Sequence, residues 1–201
     1  MIDWEIFPKP ISYKKSLQIM ENHVELMLEN KAKSKIMLVE HEMTYTTPKK
    51  ENDLLLAGIP LVLTNRGGGV TYHGPGQRII YPIIDLRNYK MDIHWYLDSL
   101  EKWIINTLEV LEITAHQKTQ QRGVWVQNHK IASIGVRFRK WIAFHGCAVN
   151  INTKMEYFDL IKPCGIDPSM MTSCKALGKK VSMPQFDKVL HDTFATHFSV
   201  N

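Results

Sequence analysis

Cysteine is scarce in this chain: Cys147, Cys164 and Cys174 are three among 201 residues. So low and odd a number excludes a disulfide framework, leaves at least one thiol free and fits a reducing compartment. No apolar run approaches the roughly 18 residues of a membrane span. The opening residues, Met-Ile-Asp-Trp-Glu, lack the basic and apolar stretches of a signal peptide, so a soluble cytoplasmic protein without a membrane partner is expected. Repeats, low-complexity tracts and Gly/Ser-rich linkers are missing too, and one domain over residues 1–201 is expected, long enough for a well-buried core. There is no Cys-x-x-Cys, and His145-Gly146-Cys147 lacks the glutamate that a zinc deaminase carries two residues after its histidine. Neither a metal site nor a cofactor is expected.

The charge balance is basic, with a net charge of +5 and a pI near 9.0. That fits approach to an acidic protein as well as it fits nucleic acid. Only Arg137-Phe138-Arg139-Lys140-Trp141 looks like a nucleic-acid patch, and it lies between two strand-like runs, where a solvated hairpin turn explains it. No nucleic-acid partner is expected.

Periodicity organises the rest. Ser12 caps a helix with Leu17, Met20, Val24, Met27 and Leu28 at helical spacing, ending near Asn30. Short apolar runs at Ile36 to Glu40 and Leu61 to Thr64 read as strands, and Tyr45 to Asp53 between them reads as a loop. Ile79 to Ile84 is a strand in which Pro82 argues for an edge, a bulge or a strand end. Ile93 to Ile113 is the clearest amphipathic helix, with Trp95, Leu97, Leu100, Ile104, Leu108 and Leu111 on one face. Val124 to Val126, Ile131 to Phe138 and Ile142 to Ile151 follow as antiparallel strands, which puts Lys130 at a strand start. Ser182 caps a last helix with Phe186, Val189, Leu190, Phe194 and Phe198 along one side. The class is α/β (α+β), a mixed sheet flanked by helices.

Two motifs carry chemistry. Arg66-Gly67-Gly68-Gly69-Val70-Thr71-Tyr72-His73-Gly74-Pro75-Gly76-Gln77 lets backbone approach a ligand and offers unblocked N–H groups, while Cys164, in Lys-Pro-Cys-Gly-Ile, is a thiol that can carry an acyl group. Between them stand Gly123-Val124-Trp125-Val126, Lys130-Ile131-Ala132-Ser133-Ile134-Gly135 and His145-Gly146-Cys147-Ala148-Val149-Asn150. In this order, from about Glu40 to Ser173, these segments resemble the lipoyl(octanoyl) transferases.

The resemblance implies the fold shared by biotin and lipoate protein ligases. It implies transfer of octanoyl from octanoyl-acyl carrier protein to a lysine of lipoyl domains, those of 2-oxoacid dehydrogenase complexes and the glycine cleavage H protein, with no cofactor. Cys164 is then the acyl-thioester nucleophile and Lys130 its proton partner, either as neutral amine or as ammonium. The implied binding segments are Arg66 to His73 (Arg66, Gly67, Gly68, Gly69, Val70, Thr71, Tyr72, His73), Ser133-Ile134-Gly135 and Gly146-Cys147-Ala148. An oxyanion in each acyl transfer calls for fixed N–H donors, for which the glycine run and the backbone near Gly146 and Gly165 are candidates. His73 and His145 are expected to brace the pocket or position substrate, and Val70, Ile134, Ala148 and Val149 to line an acyl tunnel.

Departures from the family pattern are Glu42-Met43-Thr44-Tyr45-Thr46-Thr47-Pro48, where a Thr-x-Gly is usual, and Cys147 and Cys174, where bulkier residues are common. Loop shape and pocket contour are expected to differ there. A lipoate protein ligase would resemble Gly-Gly-Gly followed by Val-Tyr-His-Asp, whereas here His73 precedes Gly74-Pro75-Gly76. A basic nucleic-acid binder is a further alternative, resting on the pI and the Arg137 cluster alone.

Overall fold

The computed structural model describes residues 2–48 and 55–198. In chain order the strands and helices are β1 (Asp3–Ile6), α1 (Tyr13–Leu28), β2 (Lys35–Val39), β3 (Thr44–Thr47), β4 (Leu55–Leu56), β5 (Ile59–Leu63), β6 (Thr71–His73), β7 (Gln77–Asp85), α2 (Ile93–Val110), β8 (His116–Gln117), β9 (Val124–Val126), β10 (His129–Arg139), β11 (Ile142–Asn150) and α3 (Met183–His197). Seven strands form one mixed sheet in the order β1-β2-β7-β11-β10-β9-β8, and four form a second, β4-β5-β3-β6.

Alternation along the central strands sends side chains to two layers. Ile36, Leu38, Ile80 and Ile84 meet Leu100, Trp103, Ile104 and Leu108 of α2 and Phe186 and Leu190 of α3. Met37, Val39, Ile79, Tyr81 and Ile83 meet Met20, Val24 and Met27 of α1 on the opposite face. The side chains of Ser12, Asp92 and Ser182 accept N–H groups at the starts of α1, α2 and α3. Asn30, with φ +56, stops α1 in a left-handed turn whose next N–H, that of Lys31, reaches Leu26 O at 2.8 Å.

Two expectations are corrected. Tyr45 to Asp53 is not a loop throughout: Thr44–Thr47 is a buried strand, parallel to β5 and antiparallel to β6. Its Thr-Tyr-Thr-Thr sequence carries no apolar alternation, and it is held by polar contacts that only tertiary structure supplies. Residues 49–53 lie outside the described residues. Pro82 is neither at an edge nor at a strand end; it sits inside β7, at the centre of the large sheet, opposite Ile36 of β2. On its other side the ladder to β11 is interrupted between the pairs Ala143↔Ile84 and Cys147↔Ile80, and His145 there has φ +59. The irregularity of the bulge reading falls on β11, where backbone pairing is given up opposite the residue that has no N–H to offer. A Cβ on Gly146 would lie 2.2 Å from Ile80 O and 2.6 Å from Pro82 Cδ, so this crossing requires glycine.

The basic cluster is the hairpin turn between β10 and β11, with Lys140 at φ 47 and Trp141 at φ 68. Arg139 pairs with Glu25 on α1, and Arg137 donates to Asn65 O. Absent from the sequence reading is the buried pair of Arg78 on β7 with Asp187 on α3, bonded through both carboxylate oxygens at 2.8 and 2.7 Å.

Candidate active site

Cys164 occupies the middle of a 3-10 turn, Pro163–Gly165, with φ 53 and ψ 29, a left-handed conformation uncommon outside glycine. The turn is fixed by its backbone: Cys164 N–H donates to Val70 O at 3.1 Å, and Gly165 N–H to Lys162 O at 3.0 Å. The thiol is half-buried. Against it lies the glycine run. A Cβ on Gly69 would sit 3.0 Å from Cys164 Cα, and one on Gly68 would sit 3.7 Å from its Sγ. Gly67 N–H is taken by Val136 O. Among the described residues, the N–H groups of Gly68 and Gly69 have no backbone partner.

Arg66 shapes this loop. Its guanidinium donates to Gly67 O (2.9 Å), Gly69 O (2.9 Å), Thr46 O (3.2 Å) and Thr46 Oγ1 (2.7 Å). A planar fork with several donors can bind so many oxygens at once. The unpredicted strand β3 therefore serves as the anchor of the glycine run.

Lys130, at the start of β10, is only 3% exposed. Its Nζ donates to Arg122 O at 2.6 Å and lies 5.6 Å from the centroid of Trp125. Space for its stem exists because residue 123 is glycine: a Cβ there would fall 2.3 Å from Lys130 Cε. Burial lowers the ammonium's pKa, and the negative charges of Cys164 and Glu101 raise it in part. The lysine that an isolated turn would expose is thus drawn inward.

A narrow cavity opens beside Cys164, walled by Arg66, Thr71, His73, Ser133, Ile134, Gly135, His145, Gly146, Cys147 and Ala148 and floored by Tyr13, Ile79 and Tyr81. Its histidines are braces. His73 Nδ1 donates to Gln77 Oε1 at 2.7 Å, and Gln77 donates to Asn150 Oδ1, which ties the wall to β11. His145 Nε2 donates to Asn65 Oδ1 at 2.9 Å. Behind them, His41 donates to Ile11 O and accepts from Tyr81 Oη. Burial keeps all three imidazoles neutral, lowering His41 to about 4, His145 to about 3 and His73 well below its ordinary value.

Residues 12–195 match the lipoyl protein ligase A/B catalytic domain. The octanoyltransferase of Rickettsia bellii is 41% identical over 208 residues, covering 98% of this chain and 100% of that protein. The chain belongs to this family. The fold extends beyond the octanoyltransferases to more distant proteins. A solved lipoate-protein ligase A bound with ATP superposes with a TM-score of 0.78 at 14% identity, over 97% of this chain and 85% of that one. Biotin protein ligase from Aquifex aeolicus gives a TM-score of 0.55 at 12% identity, over 98% of this chain and 68% of that one. The α/β fold of the lipoate and biotin ligases is thereby established for this octanoyltransferase-family chain.

The segments implied by the resemblance are brought together unequally. Arg66, Thr71, His73, Ser133, Ile134, Gly135, Gly146, Cys147 and Ala148 line the cavity with Cys164. Val70 and Tyr72 do not: they pack in a third apolar cluster with Tyr45, Trp125 and Phe158. The alternation of β6 turns Thr71 and His73 to the cavity and Tyr72 away. Val149 belongs to the core beneath α2, not to the tunnel. Cys147 and Cys174 are buried thiols, the second pushed up to about 11 and the first further, by desolvation. Sequence reading missed Tyr13, Tyr81 and Glu101. The two tyrosines sit in segments read as helix start and strand, and Glu101 looks like the polar side of an amphipathic helix.

Proposed function

We propose that this octanoyltransferase-family protein moves octanoyl from octanoyl-acyl carrier protein to a lysine of lipoyl domains through a thioester on Cys164. The observation that carries the reading is the half-buried Cys164 thiol, set on a rigid left-handed turn against the glycine run and beside the cavity, with Lys130 buried and drawn inward by the carbonyl of Arg122.

Cys164 passes its proton to Lys130, and the thiolate attacks the carbonyl carbon of the incoming thioester. The tetrahedral oxyanion is met by the free N–H groups of Gly68 and Gly69. Collapse expels the carrier's thiolate, which takes the proton from Lys130. In the second half the acceptor amine attacks the acyl-enzyme, Lys130 takes the amine's proton, and Cys164 leaves as thiolate. Thioester becomes amide, a downhill exchange that calls for no ATP. The acyl chain occupies the cavity between Ile79, Ile134 and Ala148, where each buried methylene contributes about 0.8 kcal/mol.

Acidic carrier protein and lipoyl domains, among them those of 2-oxoacid dehydrogenases and the H protein, are the partners, approaching a chain of net charge +5. No helix among the described residues is long and apolar enough to cross a membrane; a cytoplasmic location is part of the same reading. The test mixes the protein with octanoyl-acyl carrier protein and a lipoyl domain, with and without ATP. Octanoyl-lysine formed equally in both supports the transfer. Product only with ATP and free octanoate, with pyrophosphate released, would assign a ligase instead.

A further inference from the structure

We propose that Glu101, on the buried side of α2, is a positioning residue that holds Lys130 in register with Cys164. The inference rests on the Cys164 and Lys130 reading above.

The carboxylate is buried, its side chain 3% exposed, and every bond it makes goes to the segment leading into β9. Oε1 accepts Gly123 N–H at 2.7 Å; Oε2 accepts Gln117 Nε2 at 2.8 Å and the Arg122 guanidinium at 3.0 Å. The peptide so clamped is the one that holds the lysine. Arg122 O accepts Lys130 Nζ at 2.6 Å, and Gly123 leaves the gap for its Cε. Moving the Glu101 carboxylate therefore moves the lysine's acceptor.

Charge adds a second effect. A buried carboxylate is costly unless cations compensate it. Arg122 is 43% exposed in its side chain and shared with Asp98, so its compensation is screened by water. Lys130 is the buried cation, and Glu101 raises its pKa. The ionisable groups around the lysine are Cys164 from the turn, Glu101 and Asp98 from α2, and Arg122 and Lys118 from the β8–β9 connection, with Trp125 under both lysines. Burial, and in smaller part the Glu101 carboxylate, also keep the Cys147 thiol protonated. Once Cys164 is acylated its charge is gone, and Glu101 is the anion left beside Lys130 to favour uptake of the acceptor amine's proton.

The test follows alkylation of Cys164 by iodoacetamide against pH, read by peptide mass, in wild type, Glu101→Gln, Lys130→Ala and the double variant. Glu101→Gln removes the charge and keeps one of the two acceptor oxygens. Its curve is expected about one pH unit toward alkaline values in the Lys130 background, with no further shift in the Lys130→Ala background. Arg122→Gln, at an exposed side chain, unmasks Glu101 and moves the curve to lower pH; it decides the matter where Glu101→Gln does not fold. A Glu101→Gln curve that superposes on wild type while Lys130→Ala is displaced overturns the role of Glu101 alone, as does an equal shift in both backgrounds or an Arg122→Gln curve that stays or rises. A Lys130→Ala curve identical to wild type overturns the Cys164 and Lys130 pairing itself, and the inference with it.

Discussion

A Cβ added to Gly69 would stand 3.0 Å from the Cα of Cys164, backbone against backbone, with no flexible side chain to give way. Gly69 does not need glycine for its own torsions, since it is absent from the positive-φ glycines. Gly69→Ala is therefore expected to displace the thiol's turn and lower kcat/KM at least tenfold, with a Tm within a few degrees of wild type. Gly58, at φ +78 with nothing within 4 Å of its Cβ, gives the opposite pattern. Gly58→Ala should cost about 1 kcal/mol of stability and leave turnover intact. Full activity in Gly69→Ala would mean that the close approach does not limit the reaction.

Arg66→Lys retains the charge and loses the fork. An ammonium cannot reach Gly67 O, Gly69 O and both Thr46 oxygens together, so the glycine run loses its anchor to β3. Acyl-enzyme formation is expected to slow by roughly 10- to 100-fold, the size that one or two charge-assisted hydrogen bonds carry. Single-turnover mixing with octanoyl-acyl carrier protein measures this step, and an unchanged rate would remove Arg66 from the loop's support.

Asp187→Ala strands Arg78 in the interior, where side-chain exposures of the pair are 5% and 8%. Breaking one side of such a pair costs about 3–5 kcal/mol, or on the order of 10 °C in Tm for a chain of this size. α3 should detach first, exposing Phe186 and Leu190. Calorimetry showing a shift of only a degree or two would mean that Arg78 finds another partner.

Acid should unfold the protein through its neutral histidines. In the unfolded chain an imidazole binds a proton below about pH 6.5. In the native state His41 does so only at about 4 and His145 at about 3. Their contribution to stability is complete above pH 6.5 and is lost as pH falls toward those values, by up to about 1.4 kcal/mol per pH unit for each. Urea midpoints are thus expected to be level between pH 8 and 7 and to drop steeply from 6.5 to 5. A level midpoint down to pH 5 would show that these histidines are protonated without breaking their bonds to Ile11 O, Tyr81 Oη and Asn65 Oδ1.

Helical periodicity made α1, α2 and α3 readable, the first and last with their caps Ser12 and Ser182, because each buries one apolar stripe. The hairpin of β10 and β11 was equally legible from its apolar runs and basic turn. β3 was not, since a strand of threonines gains its place from Arg66 and β6, not from its own pattern. Pro82 misled because local rules exclude it from a central strand, while the cost is absorbed on β11 at His145 and Gly146. At the site, Arg66, His73 and the Ser133 and Gly146 segments were visible as motif. The inward turn of Lys130 was not visible in its own neighbourhood, where Asn128 and His129 announce an exposed turn; it depends on Gly123 and on the carbonyl of Arg122, which α2 fixes from a distance.

The most direct test of the covalent route is intact-mass measurement after mixing the protein with octanoyl-acyl carrier protein in the absence of an acceptor. One octanoyl group is expected on the wild type, on Cys164 by peptide mapping, removed by hydroxylamine and discharged by an added lipoyl domain. Cys164→Ser should show neither adduct nor turnover, while Cys147→Ser and Cys174→Ser, destabilised by about 1–3 kcal/mol for a buried hydroxyl, should still form it. Turnover persisting in Cys164→Ser, or an adduct mapped to another residue, would contradict the assignment of the nucleophile.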